Sequence, residues 1–206
     1  MTTPTHSELL IATNNAGKIR ELNGLLANLP LRLRQLSEFP HVEEVDETGK
    51  TFAENAILKA RLYSRQTNLW TLADDSGLEV DALGGAPGVL SARYAGLNAT
   101  DAERNTRLLA ELGRTEDGQR TARFVCAIAL YDPSTGSTEI FNGTCEGHIA
   151  KHPRGQHGFG YDPLFVPSGH TQTFGELSED VKQQISHRAR SLAAVRAYLN
   201  ERFSRM

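Results

Sequence analysis

The stretch ELLIATNNAGKIRELNGLLANL, residues 8–29, indicates the fold class of this chain. Residues 8–13 form a short apolar run typical of a buried strand, and a turn follows at Asn14, Asn15 and Gly17. Apolar residues then recur at helical spacing, at Ile19, Leu22, Leu25, Leu26 and Leu29. Because strand, loop and helix in this order begin an α/β unit, we expect an α/β fold.

The rest of the chain continues this alternation and adds an antiparallel part. Apolar runs of strand length recur four times, at residues 31–36, 69–73, 124–131 and 138–145. Helical patterns follow Thr51 and Thr100, and Thr100 with Glu103 matches a capping box. The last two runs flank a turn-rich segment and predict a hairpin. We therefore predict one domain over residues 1–206 with a mixed sheet.

The composition is typical of a globular enzyme or binding protein. Hydrophobic residues make up 39% of the chain and charged residues 23%, which is enough to build a sizeable core. The net charge of -3, with acids and bases interspersed, argues against binding to a nucleic acid polymer. The apolar runs are far shorter than the ~20 residues that span a bilayer, so we expect no membrane segment. The polar N-terminal segment lacks a targeting signal, which favours a cytoplasmic location.

Cysteines and histidines give little support to a disulfide or a zinc site. Cys126 and Cys145 lie in the predicted hairpin, where reduced thiols are the expected state. His148, His152 and His157 are separated by proline and glycine and match no zinc motif. We assign no role to these five residues.

A break in helical phase marks the C-terminal segment. One continuous helix over residues 179–203 would place Arg188 in the apolar stripe and bury an unpaired guanidinium. A break near Ser186, which can cap a second helix, avoids this cost. His187 and Arg188 then lie at a helix N-terminus, where backbone N–H groups favour anions.

Two segments carry groups suited to phosphates and their metal. Residues 13–18, Thr-Asn-Asn-Ala-Gly-Lys, place backbone donors and one cation between a strand and a helix, although a plain turn is an alternative. Asp74 and Asp75 stand at the predicted end of a strand, and Asp46 and Glu47 lie in an earlier acidic loop. Carboxylates in such positions hold Mg²⁺, although they can also serve only to accept backbone N–H bonds in a turn.

Two further segments add polar and aromatic groups. In the helix after Thr51, Asn55 and Lys59 share a face that the apolar residues leave free. Residues 158–163, Gly-Phe-Gly-Tyr-Asp-Pro, allow close backbone approach, and Phe159 can stack on a base. The alternative for this segment is a tight loop with a core aromatic side chain.

Taken together, these segments resemble the inosine and xanthosine triphosphate pyrophosphatase family, whose members remove deaminated purines from the nucleotide pool. The resemblance runs from Leu10 to Leu199. It rests on eight motifs in the family's order: TNNAGK at 13–18, ETG at 47–49, TFAENAILKA at 51–60, ADDSGL at 73–78, GGAPG at 84–88, SARY at 91–94, GFGYDP at 158–163 and ISHR at 185–188.

The resemblance implies an elongated mixed sheet flanked by helices, two lobes with a nucleotide-binding cleft between them, and a homodimer. It implies Mg²⁺ held by Asp46 and Asp75, with Asp75 also the catalytic proton acceptor for water. Relatives often carry Glu at the position of Asp46, so Glu47 is an alternative ligand. The implied substrate-binding residues are Thr13, Asn14, Asn15, Ala16, Gly17, Lys18, Lys59, Ser76, Phe159, Gly160, Tyr161, Asp162, Lys182, His187 and Arg188.

The implied reaction is hydrolysis of ITP, dITP and XTP, in which water attacks the α-phosphorus and releases a nucleoside monophosphate and pyrophosphate. Two alternatives remain open on the residues alone. One is a nucleotide-sensing module that binds without turnover. The other is an enzyme of the same architecture that acts on modified pyrimidine or methylated nucleotides.

Overall fold

A computed structural model describes residues 8–27, 29, 31–113 and 119–203. Its strands are β1 Glu8–Ile11, β2 Arg32–Gln35, β3 Trp70–Val80, β4 Thr121–Tyr131, β5 Thr138–Ile149 and β6 Phe165–Pro167. Its α-helices are α1 Ala16–Leu26, α2 Phe52–Thr67, α3 Asp101–Leu112, α4 Glu179–Ile185 and α5 His187–Phe203. Short 3₁₀ helices span Leu36–Glu38, Asp81–Leu83 and Gly88–Arg93. The N-terminal segment 1–7, where no targeting signal is predicted, lies outside the described residues.

The six strands form one mixed sheet in the order β2-β1-β3-β4-β5-β6. β1 is parallel to both β2 and β3, and β5 is antiparallel to β6. β4 and β5 are neighbours joined by a short turn, as in the predicted hairpin. The predicted α/β class with a mixed sheet is therefore confirmed.

The chain divides into two compact units. Unit 1 comprises Met1–Asp75, Ala127–Asn142 and Ser191–Met206, and unit 2 comprises Ser76–Cys126 and Gly143–Arg190. The single domain over residues 1–206 and the cleft between two lobes stay predictions.

Unit 1 contains the parallel strands and the first two long helices. The chain moves from β1 to β2 on one side, and α2 then carries it back past β1 to β3 on the other side. Right-handed crossovers place α1 and α2 on opposite faces of such a sheet. Leu9, Leu10 and Ile11 of β1 are accordingly all buried, as expected of a strand covered on both faces.

Unit 2 is built around a core of aliphatic and aromatic side chains. Leu108 and Leu112 place one face of α3 in this core. The rings of Phe124, Phe165 and Phe174 pack together, with centroids 4.7 Å apart for Phe124 and Phe165 and 5.4 Å apart for Phe165 and Phe174. The predicted capping box of α3 is confirmed by the reciprocal bonds of Thr100 and Glu103.

The predicted break at Ser186 is confirmed. α4 ends at Ile185, Ser186 is extended with φ -69 and ψ 159, and α5 begins at His187. The Ser186 hydroxyl oxygen accepts the N–H of Ala189 at 3.1 Å, which is the bond of an N-cap.

The predicted end of a strand before Asp74 is wrong. β3 continues through Asp74, Asp75 and Ser76 to Val80, and both aspartates are buried inside it. The two carboxylates are tolerated inside the strand because lysines of the neighbouring helices compensate their charges and an asparagine amide donates a hydrogen bond to Asp75.

Two predictions about composition can be checked within the described residues. Cys126 and Cys145 are buried and form no disulfide within the described residues, and their reduced state stays a prediction. In that same part of the chain, no helix has the length and apolar character needed to cross a membrane.

Candidate active site

Unit 1 contains a group of charged side chains that we call the carboxylate cluster: Lys18, Glu47, Asn55, Lys59, Asp74 and Asp75. Successive residues of a strand point to opposite faces of its sheet, so Asp74 and Asp75 meet different helices. Asp74 meets α1, where the ammonium of Lys18 lies 3.1 Å from its Oδ2. Asp75 meets α2.

Two residues of α2 hold the Asp75 carboxylate. Asn55 Nδ2 donates to Asp75 Oδ2 at 3.1 Å, and Lys59 Nζ lies 3.5 Å from Asp75 Oδ1. Residues four apart lie on one helix face, which explains how both reach the same group. Asp75 is only 6% exposed and Lys59 8%. The predicted polar face of this helix is confirmed as the face that meets Asp75.

The acidic loop before α2 brings a further carboxylate to Lys59. Gly49 N donates to Asn55 Oδ1 at 2.7 Å, and a Cβ at Gly49 would lie 2.6 Å from that oxygen. Glycine thus lets the loop lie close against the helix. Glu47 Oε1 then contacts Lys59 Nζ at 2.7 Å, whereas Asp46 is exposed. The metal role predicted for Asp46 stays a prediction.

Burial and neighbouring charges shift two pKa values in the carboxylate cluster. Burial raises the pKa of Asp75, Lys59 opposes this, and Glu47 adds to it, with a net rise. Burial disfavours the charged form of Lys59, but Asp75, Asp74 and Glu47 more than offset this and raise its pKa. Lys59 therefore keeps its charge, and Asp75 is a stronger base than an exposed aspartate.

The loop after β1 lies beside this cluster within unit 1. Ile11 pairs with Leu72 of β3, and Ala12 N donates to Leu72 O at 2.8 Å. The loop and Asp74 therefore both lie just beyond Ile11 and Leu72, the last paired residues of the parallel strands β1 and β3. The strand order reverses here, and this edge of a doubly wound sheet is where ligands commonly bind.

The side chain of Asn15 organises the start of α1. Its Oδ1 accepts the N–H groups of Gly17 and Lys18 at 2.9 and 3.1 Å, and its own N–H donates to Thr13 Oγ1 at 3.2 Å. Asn14, Asn15 and Ala16 are exposed. The predicted phosphate loop thus has an ordered N-cap, although this cap already uses two of the helix's free N–H groups.

Unit 2 contains a second group, which we call the aromatic cluster: Ser76, Phe159, Asp162, Lys182 and Arg188. Asp162 Oδ2 accepts from Lys182 Nζ at 2.6 Å and from Phe159 N at 2.8 Å. The Phe159 ring centroid lies 4.7 Å from Lys182 Nζ and 5.8 Å from Arg188 Cζ. Arg188 Nη2 also donates to Ser76 Oγ at 2.8 Å. Five predicted site residues therefore lie together.

Arg188 corrects one step of the sequence argument. The helix break is real, yet Arg188 is buried all the same, at 1% exposure. Its guanidinium bonds to the Ser76 hydroxyl and lies over the Phe159 ring, so burial does not leave it unpaired. The helical phase predicted the break correctly, but the break does not keep Arg188 out of the protein interior.

His187 and Tyr161 have packing partners in unit 2. The His187 ring stacks on Phe124 with centroids 4.8 Å apart and planes 13° apart. Tyr161 donates its hydroxyl to Ser91 O at 2.9 Å, and burial raises the pKa of this phenol. Both side chains are buried, and their contact with substrate stays a prediction.

The sequence analysis missed two residues of α3 that bond to Gly160. Gly160 N donates to Asp101 Oδ2 at 2.6 Å, and Asn105 Nδ2 donates to Gly160 O at 3.1 Å. The signal was present, because Asn105 continues the buried stripe of Leu108 and Leu112. A polar residue in an apolar stripe points to a specific partner.

The donor set of the carboxylate cluster fits Mg²⁺ better than zinc. No group of three or more His, Cys, Asp or Glu side chains gathers as a metal cluster in the part of the chain that the structure describes. Mg²⁺ keeps several waters and commonly takes only one or two protein carboxylates besides substrate phosphates. Asp75 and Glu47, which both contact Lys59, can meet that need.

Comparison with curated proteins gives relatives of nearly full length. The dITP/XTP pyrophosphatase of Geobacillus kaustophilus is 51% identical over 185 residues, covering 90% of each chain. The dITP/XTP pyrophosphatase of Bacillus anthracis is 47% identical over 197 residues, covering 95% of this chain and 98% of that protein.

Solved structures show the same fold. A HAM1 protein from Coxiella burnetii matches with a TM-score of 0.88 at 45% identity, covering 95% of this chain and 99% of that one. The Ham1 protein of Staphylococcus aureus matches with a TM-score of 0.85 at 42% identity, covering 95% of this chain and all of that one. The Ham1 family model matches residues 9–198, and with the motifs and clusters described above it shows that this chain belongs to the Ham1 family.

Proposed function

We propose that this chain hydrolyses deaminated purine nucleoside triphosphates, namely ITP, dITP and XTP, to the nucleoside monophosphate and pyrophosphate. The observation that carries the proposal is the environment of Asp75, a buried carboxylate of raised pKa held by Asn55 and Lys59. A base of this kind beside two lysines suits the activation of water next to phosphates. The relatives named dITP/XTP pyrophosphatase support the substrate class.

The proposal includes a Mg²⁺ ion held by Asp75 and by a carboxylate of the acidic loop, Asp46 or Glu47. When bound, Mg²⁺ neutralises charge on phosphate oxygens and helps to align the reacting groups. Lys59 and Lys18 add positive charge in the same cluster. Lys59 is suited to this role because its raised pKa keeps it protonated.

Asp75 is proposed as the proton acceptor for the attacking water. Asn55 and Lys59 each occupy one side of the carboxylate and fix its orientation. Each carboxylate oxygen has a second lone pair, so these bonds leave acceptor capacity for a water molecule. Attack of that water on the α-phosphorus breaks the anhydride bond to the β-phosphate and releases pyrophosphate.

Base selection is assigned to the aromatic cluster. Hypoxanthine and xanthine carry an acceptor oxygen at C6, whereas adenine carries a donor amino group there. Arg188 is proposed as the donor to that oxygen, and Phe159 as the ring on which the base stacks. Guanine shares the C6 oxygen, so its rejection is assigned to its 2-amino group, which would have to remain without an acceptor when guanine occupies the site.

The test is a panel of nucleotides incubated with the protein and Mg²⁺, with pyrophosphate and orthophosphate measured separately. We expect pyrophosphate from ITP, dITP and XTP at rates well above those for ATP and GTP. Stoichiometric orthophosphate would exclude cleavage between the α- and β-phosphates. Binding without turnover would identify a sensor, and a preference for modified pyrimidine or methylated nucleotides would identify the other alternative.

The homodimer and the cytoplasmic location belong to the same proposal. Analytical ultracentrifugation over a range of protein concentrations tests the first, and fractionation of cells that produce the protein tests the second. A monomer at micromolar concentration or recovery outside the cytoplasmic fraction would contradict them.

A further inference from the structure

We infer that Asp101 and Asn105 of α3 are positioning residues that hold the base-binding loop, residues 158–162, and so set selectivity between purine bases. The inference rests on the proposed function, because it is measured as a ratio of hydrolysis rates. The resemblance to the pyrophosphatase family assigns no role to the residues of α3. This inference gives a role to two of them.

The geometry is a two-point hold on one residue. Asp101 Oδ2 accepts the N–H of Gly160 at 2.6 Å, and Asn105 Nδ2 donates to the carbonyl of Gly160 at 3.1 Å. Asp101 and Asn105 are four residues apart and share one face of α3. The two bonds therefore fix both the donor and the acceptor of Gly160 against a rigid helix.

Gly160 needs such a hold because its backbone is unusually free. It has a φ of +63, in the left-handed region, and among the described residues no heavy atom outside its chain neighbours lies within 4 Å of the position that a Cβ would occupy. Side-chain packing therefore cannot keep this residue in place. The bonds from α3 supply the constraint that packing does not.

Phe159, the residue before Gly160, depends on this constraint. Its N–H is held by Asp162, and its ring lies 4.7 Å from the ammonium of Lys182 and 5.8 Å from the guanidinium carbon of Arg188. Cation–π attraction weakens as the cation leaves the ring face. A rotation at Gly160 would move the ring relative to both cations and degrade the donor geometry at Arg188.

Fold stability alone does not account for Asn105. The residue is 5% exposed, and among the described residues its Oδ1 is buried without a hydrogen-bond partner. Turning the amide over would set two oxygens against each other, so the bond to Gly160 fixes its orientation. A leucine would extend the apolar stripe of Leu108 and Leu112 and remove the unpaired Oδ1, and what it would lose is the bond to the carbonyl of Gly160. The asparagine is therefore explained by its bond to the loop.

The experiment compares kcat/KM for ITP and for ATP, with thermal unfolding measured in parallel. Asn105→Leu should lower kcat/KM for ITP about tenfold, as expected for one lost hydrogen bond, with little change for ATP. Its Tm should equal or exceed that of the wild type. Asp101→Ala should narrow the ITP-to-ATP ratio in the same way. Asp101→Asn should restore much of the ratio, because an amide oxygen still accepts the N–H of Gly160.

Glu103→Ala is the matched control in the same first turn of α3. Glu103 caps the helix through Thr100, and its loss should lower Tm while the ITP-to-ATP ratio stays unchanged. Equal losses for ITP and ATP in the Asn105 and Asp101 variants, with a lower Tm, would overturn the inference. If Asn105→Leu does not fold, the Asp101→Ala and Asp101→Asn pair decides. A wild type that fails to hydrolyse ITP counts against the proposed function instead.

Discussion

The carboxylate cluster and the aromatic cluster both hold a buried lysine against an aspartate, yet they differ in the sign of their charge. The first contains two lysines and three carboxylates, Lys18, Lys59, Glu47, Asp74 and Asp75. The second contains two cations and one carboxylate, Lys182, Arg188 and Asp162. The named groups therefore sum to -1 in the first cluster and +1 in the second. By this difference in charge, the first cluster suits the proposed Mg²⁺ and the second suits the proposed contact with the oxygen of a purine base.

The two lysines also differ in how they are held. Lys59 contacts two carboxylates, at 2.7 and 3.5 Å, and these neighbours raise its pKa. Lys182 contacts the Asp162 carboxylate at 2.6 Å and lies over the Phe159 ring. Lys59, which lies between two carboxylates, keeps its charge and can reorient toward a phosphate. Lys182 is held between a carboxylate and an aromatic ring, which fixes the orientation of its ammonium group. In the proposed function, this difference corresponds to the chemical role of the carboxylate cluster and the base-recognition role of the aromatic cluster.

Asp75→Asn tests the chemical half of the comparison and should have the largest effect. The amide keeps the shape of the side chain but cannot accept the proton or supply the charge for Mg²⁺. We expect kcat for ITP to fall by about a thousandfold or more, while binding of the nucleotide survives in part. Single-turnover pyrophosphate release and equilibrium binding measure the two quantities.

Asp132→Asn is the matched control in unit 1. Asp132 is 2% exposed and pairs with Arg202, but it lies in the turn between β4 and β5 and outside the carboxylate cluster. We expect a normal kcat for this variant. A near-normal kcat for Asp75→Asn would instead remove Asp75 from the mechanism.

Arg188→Met tests the recognition half. Methionine keeps much of the apolar volume but removes the donor, so kcat/KM for ITP and XTP should fall roughly tenfold to a hundredfold while that for ATP changes little. Arg120→Met is the control, because Arg120 is a buried arginine of unit 2 that bonds to Ile149 O. It should lose stability and keep its selectivity. Equal losses of kcat/KM for ITP, XTP and ATP in Arg188→Met would show that Arg188 contacts the phosphates or supports the structure instead of reading the base.

Local sequence rules predicted much of the fold. The helix starts at Thr51 and Thr100 and the cap at Ser186 depend on side chains within three residues of the bonds they make, so the sequence displays them directly. The continuation of β3 through Asp74 and Asp75 was hidden, because the lysines that compensate these charges come from elsewhere in the chain. Compensation over long sequence distances has no local signature.

The candidate site shows the same division between residues that the sequence identifies and contacts that only the fold reveals. Motif resemblance identified Phe159, Lys182 and Arg188, which the fold indeed gathers around one ring. It could not reveal the bonds from Asp101 and Asn105 to Gly160, since they join residues more than fifty positions apart. Such contacts follow only from the packing of α3.

Glu47→Gln and Asp46→Asn together test which residue of the acidic loop is the second proposed ligand of Mg²⁺ beside the carboxylate cluster. Glu47 contacts Lys59 and Asp46 is exposed, so we expect Glu47→Gln to raise the Mg²⁺ concentration needed for half-maximal activity about tenfold and Asp46→Asn to raise it less. A titration of Mg²⁺ at fixed ITP measures both. A larger effect at Asp46 would return the second ligand to that residue.

The smallest expected effect concerns Asp132, which is buried like Asp75 but has the opposite pKa shift. Burial alone would raise the pKa of Asp132, but hydrogen bonds from Ser134 and Thr135 and the charge of Arg202 more than offset this and lower it. A depressed folded-state pKa stabilises the protein above the unfolded-state pKa, and this contribution is lost as the pH falls through the folded-state value. Asp132→Asn should therefore unfold about 2 to 4 °C below the wild type near pH 7, as expected for the loss of roughly 1 kcal/mol. The gap should begin to shrink once the pH falls below the unfolded-state pKa of about 3.9, and it should go on shrinking as the pH falls through the lower folded-state pKa, where the native carboxylate loses its charge. Thermal unfolding of both proteins from pH 7 to pH 3 measures the gap, and a gap independent of pH would show that shape rather than charge holds this turn.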